Sequence, residues 1–573
     1  MPPELRVLHT QLGYRNRHGK KTVIVPDTPA IQGMFGVPLF SVVEHGAFSR
    51  TPLNSPAKHR FVFDGPLQRV SGDFGTWWEG DFSDIHENGV YQIFCGGKRG
   101  PLFVIRDDVW IRLLPLCLTY FRVQSCGRNV PGWHEACHLD DALVEKEKRY
   151  IDAPGGWHDA GDFRQHATST SMNALSLLLA HRMWSGREEE LGVEPGVFLE
   201  EARRGVHFFL ALQRENGSLF RAVGDGGNET NRYTDNIRES GDERTADPRP
   251  ANPPGKFTVL YALYAEALKT EDPDLSGRCL SAAELSMKHD CSLEAGAAEW
   301  LQWKAWAYLE LWKLTGKEEL QHGAAGTMRS LLDLQVKDYI GGQSVTRGFF
   351  MEAPGAGVSG HKHIGSDYVI WILAEFLKMW PDHPDSARWK DAIAMWADDY
   401  VLAFAARNPF GLLPYAFYTS PPEEHAGCLY RRLGEDLWFR YFLADNTFGV
   451  NARSALSAAA LAAASRVLSR PELMDHGYRL LEWILGANPF QLSTMSGAGV
   501  RQACAHSSYM GDIPGGVMNG IGGDNRDMPS PAAHPWSGHW NLAEYYGYNT
   551  SQFMWAMLAL QDLEWKSPGQ GGK

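Results

Sequence analysis

The stretch Gly155-Gly156-Trp157-His158-Asp159-Ala160-Gly161-Asp162-Phe163 sets two carboxylates three positions apart among small residues, with Trp157 and Phe163 on the flanks. Glycine admits left-handed and crowded backbone, so the stretch predicts a tight loop. A helical spacing of Thr168, Met172, Leu175, Leu178, Leu179 and Met183 follows at once. It places the carboxylates at or just before a helix N-terminus, where residues i and i+3 project the same way. One Asp in that place is an ordinary N-cap, favoured by the helix dipole. Two Asp framed by aromatics fit a different chemistry, cleavage of a glycosidic bond. That reaction takes one carboxylate to activate water and another carboxylic acid to protonate the leaving oxygen.

Two kinds of element have to position this loop. Residues 1 to about 107 carry short β-rich runs: Thr22–Val25, Phe40–Val43, Arg60–Phe63, Gly89–Phe94 and Leu102–Ile105. Gly, Pro, Asn and Asp punctuate them, as in a small sandwich. From Asp108 the period becomes helical, first over Val109–Phe121. Further helical patterns cover Ala202–Leu212, Val259–Leu268, Glu299–Leu314, Ala324–Leu334, Asp367–Met379, Trp389–Ala406, Ala452–Leu468 and Pro471–Leu485. The expectation is therefore two domains, 1–107 all-β and 108–573 mostly helical.

With 573 residues the chain is too long for one small core. A net charge of −13 does not favour a phosphate backbone, so nucleic acid is not an expected partner. No apolar run is long enough for a membrane span. The N-terminus lacks an apolar leader core, which gives a cytoplasmic expectation unless a leader has been removed. Eight scattered Cys do not make a disulfide framework.

Other residues could serve a site. Cys126 and the adjacent Cys137-His138 are soft ligands of the kind zinc takes, or else two buried thiols and a hydrogen-bonded His. Loop aromatics and His could stack on or bond to a sugar: Trp157 and Phe163 at the aspartate loop, Phe350, His361 and Tyr415 further on, Trp540 and Tyr545 near the end. Asn488-Pro489 stops a helix, because the residue before Pro is pushed from the α region. Glu544 stands between aromatics and is the one carboxylate between Asp527 and the last helical pattern. Desolvation there would raise its pKa, as an acid working near neutral pH requires.

Trp157-His158-Asp159-Ala160-Gly161-Asp162 resembles the Asp-Ala-Gly-Asp signature of glycoside hydrolase family 9, the inverting cellulase family. Gln11-Leu12-Gly13-Tyr14 with Gly80-Asp81-Phe82 resembles the immunoglobulin-like module that precedes many of its catalytic domains. Leu485-Gly486-Ala487-Asn488-Pro489 resembles the family's late helix end. The resemblance implies an (α/α)6 barrel after the sandwich, Asp162 as general base, Asp159 as a second holder of the water, and Glu544 as the acid. It implies a carboxylate gap of about 6.5–9.5 Å, the room an inverting pair needs for water. It implies no cofactor for the chemistry but a structural zinc on Cys126, Cys137, His138 and a fourth His, His166 first and His158 second. Calcium is common in the family and has no evident site here.

The implied substrate is a β-1,4-glucan or its oligosaccharides. Arg501–Ser508 replaces the family's His-His-Arg cluster, and this with the missing leader favours short oligosaccharides, with an exo-acting glucosaminidase or β-glucosidase as the alternative. The usual Asn-Glu pair is also missing before Glu544. Asp225, Glu229, Asp235, Glu239 and Asp242 are the acids that could meet an amino sugar. A non-catalytic sugar-binding protein is the alternative of another class.

Overall fold

The computed structural model describes residues 4–17, 19–34, 36–45, 59–224, 234–293, 296–338, 346–353, 368–434, 437–444, 448–507, 511–531 and 540–561. Seven strands make the first unit: β1 Gly13–Tyr14, β2 Thr22–Pro26, β3 Leu39–His45, β4 His59–Gly72, β5 Gly75–Asp81, β6 Gly89–Cys95 and β7 Lys98–Ile105. They run in the order β1-β7-β6-β3-β4-β5-β2. β4 is long enough to serve two layers. Its first half pairs with β3 and its second half with β5. The layers close on Val23, Phe40, Val42, Tyr91, Ile93 and Phe103, the inward positions of alternating strands.

Twelve helices of ten residues or more follow among the described residues. They are α1 Leu114–Gln124, α2 Ala167–Trp184, α3 Val197–Ala211, α4 Lys256–Leu268, α5 Pro273–Cys291, α6 Ala298–Thr315, α7 Glu318–Leu332, α8 Tyr368–Met379, α9 Ser386–Met395, α10 Asn451–Leu468, α11 Glu472–Ile484 and α12 Gly547–Gln561. The even-numbered six form a closed ring, α2 on α4 on α6 on α8 on α10 on α12 and back to α2. The odd-numbered six lie outside, α3, α5, α7, α9 and α11 each against the helix before it in the ring and α1 against α12. This is the β-sandwich followed by a mostly helical domain that the periodicity predicts, and the helices close into the (α/α)6 barrel that the family resemblance implies.

Inner helices are buried around their whole circumference. Every residue of α12 is buried, and α10 brings Ala455 and Ala458 to Ala464 into the ring. Small side chains there let helices approach closely. The helix absent from the sequence reading is α5, an outer helix with a polar face. Its start is marked by Asp272, whose side chain accepts from the Leu275 amide at 3.0 Å, and by Pro273 in the first turn.

The base of the ring holds buried charge. Arg182 of α2 bonds both oxygens of Glu310 on α6, at 3.0 and 2.6 Å, and Lys313 joins Glu310 at 3.3 Å to Glu375 of α8 at 2.8 Å. Burial works to raise the Glu310 pKa, but Arg182 and Lys313 outweigh it and hold it at about 2. Its contribution to stability is therefore full above the unfolded carboxylate pKa and is lost as pH falls toward 2. Glu310→Gln leaves Arg182 without its main partner in the interior. A loss of about 3–5 kcal/mol is expected at pH 7, read by denaturant unfolding, shrinking as the pH is lowered below 4.

Polar contacts tie the sandwich to the barrel, and Gln11 makes four of them. Gln11 Oε1 accepts from the amides of Val500 and Arg501 at 2.9 and 2.8 Å, and Nε2 donates to the carbonyls of Gln491 and Arg501 at 3.0 and 3.1 Å. Gly13 follows with φ +128°, and a Cβ there would lie 2.0 Å from the Val104 carbonyl oxygen. Only glycine fits. Asp73 adds ion pairs to Arg407 at 2.7 Å and Arg431 at 3.8 Å.

Candidate active site

Inner helices begin at one end of the ring, and the candidate carboxylates are in the loops that lead into two of them. Asp159 and Asp162 precede α2, and Glu544 precedes α12. The two loops are joined by one hydrogen bond: the Gly161 amide donates to Glu544 Oε1 at 3.0 Å, across 383 residues of sequence. Gly161 is needed for that approach. A Cβ on it would lie 2.9 Å from Ser507 Cα and 3.3 Å from Glu544 Oε1. On the other side, the Gly547 amide donates to the Asp159 carbonyl at 3.0 Å.

Neither aspartate caps α2. The helix starts at Ala167 with no side-chain cap, and Asp162 Oδ1 instead accepts from the Arg164 amide at 3.2 Å. In place of the ordinary N-cap there is an Asx turn inside the loop, as a role other than capping requires. Asp159 is 8% exposed and its Oδ1 has no hydrogen-bond donor among the described residues. Burial, then the neighbouring Asp162, pushes its pKa well above the usual carboxylate range. Glu544 is 7% exposed. Burial and the charge of Asp162 push it up to about 8, against the Gly161 amide and the Tyr546 hydroxyl, which work to lower it. It is therefore a carboxylic acid at neutral pH.

The loop conformation is strained and clamped. Phe163 has φ +62°, a region that a bulky side chain seldom occupies. Its carbonyl accepts from Arg244 Nη1 at 2.5 Å. The same guanidinium reaches Gln165 Oε1 at 2.6 Å and Asp141 Oδ2 at 2.5 Å, and Gln165 Nε2 bonds the Gly155 carbonyl at 2.6 Å. Arg244 thus ties the end of the aspartate loop to its beginning. Its side chain is wholly buried.

The backbone beneath Glu544 is fixed in a similar way. The Asn519 amide donates to the Glu544 carbonyl at 2.9 Å, and Asn549 Nδ2 donates to Asn519 Oδ1 at 2.9 Å. The His506 amide donates to the Ala543 carbonyl at 3.0 Å, so the loop that departs from the family's His-His-Arg pattern still runs beside the acid. Asn488 does what its position predicts. It closes α11 by donating to the Trp483 and Leu492 carbonyls, both at 2.8 Å.

The sugar-contact expectations fare unevenly. Trp157 is fully buried against Gly205, where a Cβ would lie 2.1 Å from its ring, so it supports the loop from beneath. Phe350, Tyr415 and Tyr545 are at most 2% exposed and belong to the core, which corrects their reading as ring-stacking surfaces. Tyr545 packs edge-on against Tyr120 with ring centroids 5.5 Å apart. Phe163 remains half-buried beside His158, 4.8 Å between ring centroids. His361 and the side chain of Trp540 lie outside the described residues, as do Asp225 and Glu229.

Cys126, Cys137, His138 and His158 bring four ligand atoms within 4.8 Å of one another. Cys126 Sγ is 3.9 Å from Cys137 Sγ and 3.5 Å from His138 Nδ1, and Cys137 Sγ is 3.7 Å from His158 Nε2. Two thiolates at opposite edges of a zinc tetrahedron are about 3.8 Å apart, so the set fits that ion. A hydrogen bond from the Cys126 thiol draws the Cys137 pKa down, while burial pushes Cys126 up. His166, the first choice for fourth ligand, is corrected by the structure. Its Nε2 accepts from Arg221 Nε at 3.2 Å, and burial beside Arg164, Arg221 and Lys256 pushes its pKa down to about 3.

Several residues escaped the sequence reading. Tyr546, two residues after Glu544, bonds it, and Arg244, which stands in no motif, clamps the loop. Lys256 at the start of α4 is buried, donates to the Thr168 carbonyl at 2.6 Å, and lies 5.3 Å from the centre of the Trp303 ring. Burial brings its pKa down to about 7. A lysine at a helix start gives no sequence signal of such a setting.

Residues 111–339 match the family model for glycosyl hydrolase family 9. This region belongs to family 9. A cellodextrinase of Butyrivibrio fibrisolvens is 30% identical over 184 residues, which is 28% of this chain and 33% of the relative. The chain thus spans about a third of that relative's length. A metagenome-derived family 9 endoglucanase superimposes with a TM-score of 0.69 at 19% identity, over 98% of this chain and 99% of that one. A zinc-binding triple mutant of the family 9 endoglucanase J30 gives 0.67 at 18%, over 96% and 99%. At those identities the structural likeness shows the fold. No helix among the described residues is long and apolar enough to cross a membrane.

Proposed function

We propose that this family 9 chain is an inverting glycoside hydrolase that cleaves β-1,4-linked glucan or cello-oligosaccharides. One observation carries the reading. Glu544, with a pKa of about 8, is hydrogen-bonded to the amide of Gly161, the residue between the two aspartates. A proton donor and a base-bearing loop are thus held face to face. Burial and the neighbouring Asp162 raise the pKa of Asp159, and Asp162, at the end of the same loop, is the base that takes the proton from water. That water attacks the anomeric carbon from the face opposite the leaving oxygen, and Glu544 protonates that oxygen as the bond breaks. A single displacement inverts the anomer.

The named relatives, a cellodextrinase and endoglucanases, support a β-glucan substrate. Against the amino-sugar alternative, Asp235 and Asp242 turn toward Asp140. The test is product analysis on cello-oligosaccharides and chitosan oligosaccharides. Cello-fragments released from glucan, with chitosan left intact, support the reading. Release of glucosamine alone would replace it. Asp162→Asn should keep oligosaccharide affinity while abolishing turnover; a wild type that binds cello-oligosaccharides without cleaving them would leave only the sugar-binding reading.

The four-residue cluster is the place for a structural zinc. Cys126, Cys137, His138 and His158 would hold it, and it would fix the segment that leads into the aspartate loop. Mass spectrometry of the intact protein should find one equivalent of zinc. Its removal by chelation should cost about 4 kcal/mol or more, the effect of a site saturated a thousandfold, measured by calorimetry. An unchanged melting temperature after zinc loss would refute a structural role.

A further inference from the structure

The open end of the ring holds cations that the proposed chemistry does not use. Arg164 and His166 follow Asp162 on the same loop, and Arg221 stands beside them because His166 pairs with Ala222 in a short ladder. Lys256 opens α4, the ring neighbour of α2. Its ammonium donates to the Thr168 carbonyl in the first turn of α2 at 2.6 Å. It lies 5.3 Å from the centre of the Trp303 ring of α6 and 5.8 Å from that of Tyr548 of α12. Contacts with three ring helices besides its own put it at the same end of the ring as the loops of Asp159 and Glu544.

This group lacks counter-charge. Among the described residues Arg164, Arg221 and Lys256 make no ion pair, and both oxygens of neighbouring Asp247 are taken by Arg249. Two buried donors have no acceptor. One is Arg164 Nε. The other belongs to His166: its Nε2 accepts from Arg221 Nε at 3.2 Å, which places the ring proton on Nδ1, and Nδ1 has no partner. Both α2 and α4 start here without a side-chain cap, so their positive dipole ends add to the field. Crowded cations and unanswered buried donors are costly unless an anion joins them.

We propose that Arg164, His166, Arg221 and Lys256 form a subsite for the negative group of an acidic sugar unit, a carboxylate or a phosphate ester. The planar fork of an arginine meets either anion through two bonds, and the His166 and Lys256 donors suit the remaining oxygens. The inference rests on the hydrolase reading for the sugar and adds the charge that the sugar carries. A unit held there lies against the loop that bears both aspartates.

The test compares three tetrasaccharides of one linkage: cellotetraose, its C6-oxidised tetraglucuronate, and cellotetraose phosphorylated at a terminal C6. Affinity is read by calorimetry on full-length Asp162→Asn protein, and kcat/KM on the wild type. A charged tetrasaccharide should bind at least about tenfold more tightly than cellotetraose, the gain of one charge-assisted contact, and the advantage should shrink as salt rises. A gain confined to the glucuronate identifies a uronic acid unit, and one confined to the phosphate identifies a sugar phosphate. With Arg164→Gln or Arg221→Gln added to Asp162→Asn, the charged and neutral affinities should approach parity. Both arginines are half-buried, and either variant decides the matter if the other does not fold. Equal affinity for all three sugars would overturn the proposal, as would an advantage that persists in both arginine variants. A wild type that cleaves cellotetraose with no preference for charge sinks this inference alone. Tight binding of a charged sugar, with none of the three cleaved by the wild type, sinks the hydrolase reading and leaves the subsite standing.

Discussion

Glu544→Gln is expected to lower kcat by about 10²–10⁴-fold, the contribution of a positioned general acid, while the affinity for oligosaccharide stays within a few-fold. The pH profile carries the sharper information. Wild-type activity should fall as pH rises through about 8, because Glu544 loses the proton that the leaving oxygen needs. In the variant that basic limb should vanish, since an amide does not titrate. A substrate with a good leaving group, which needs less protonation, should recover much of the lost rate. Stability should move the other way. The folded state holds a proton on Glu544 that the unfolded chain releases above a pKa of about 4.3, so this residue costs stability increasingly as pH climbs toward 8. The glutamine variant should thus melt higher than wild type at pH 8, by a margin that shrinks at pH 5. Loss of activity together with a gain of stability would mark Glu544 as a group kept for its chemistry.

Arg244→Met should be nearly as damaging to turnover while leaving every candidate catalytic carboxylate in place. Its guanidinium holds the Phe163 carbonyl, Gln165 and Asp141 at once, and its removal strands Asp141 as a buried charge. About 3–5 kcal/mol of stability should be lost. Below the lowered melting point, kcat should still fall on the order of 10²-fold, the cost of a catalytic group misplaced by about 1 Å. Arg244→Lys keeps the charge and loses the planar fork, so it should recover stability more than kcat. Parallel recovery of both by Lys would mean that Arg244 acts through charge alone and does not position the loop.

These two residues also show what a sequence can and cannot tell. Asp159, Asp162 and Glu544 stand out in the sequence as candidates because few residue types do acid–base chemistry on a sugar, and because they stand in motifs. Their meeting was not legible from spacing, since 383 residues separate Gly161 from Glu544 and the closed ring brings them together. Arg244 acts through a single side chain on distant backbone, which leaves no periodic or local trace, and Gln11 opens a motif that does not reveal its reach to Arg501. The errors have a common physical cause. Trp157, Phe350, Tyr415 and Tyr545 suit a sugar platform by sequence because aromatics in loops fit both a cleft and a core, and burial alone distinguishes the two. His166 was preferred to His158 for the metal on chain order, whereas strand pairing with Ala222 turns the His166 backbone toward a different neighbourhood. The fold was easier. Alternating strands and long apolar helices announce themselves, and α5 was lost because its outer face is polar.

In the proposed reaction, water activated by Asp162 displaces the leaving oxygen at the anomeric carbon in one step while Glu544 protonates that oxygen. Proton NMR of the first minutes of cellotetraose hydrolysis, before the new reducing ends mutarotate, tests this step. The new ends should appear as the α-anomer and drift toward the equilibrium mixture. New ends that appear as the β-anomer would contradict it, and would require a covalent intermediate in place of the roles assigned to Asp162 and Glu544.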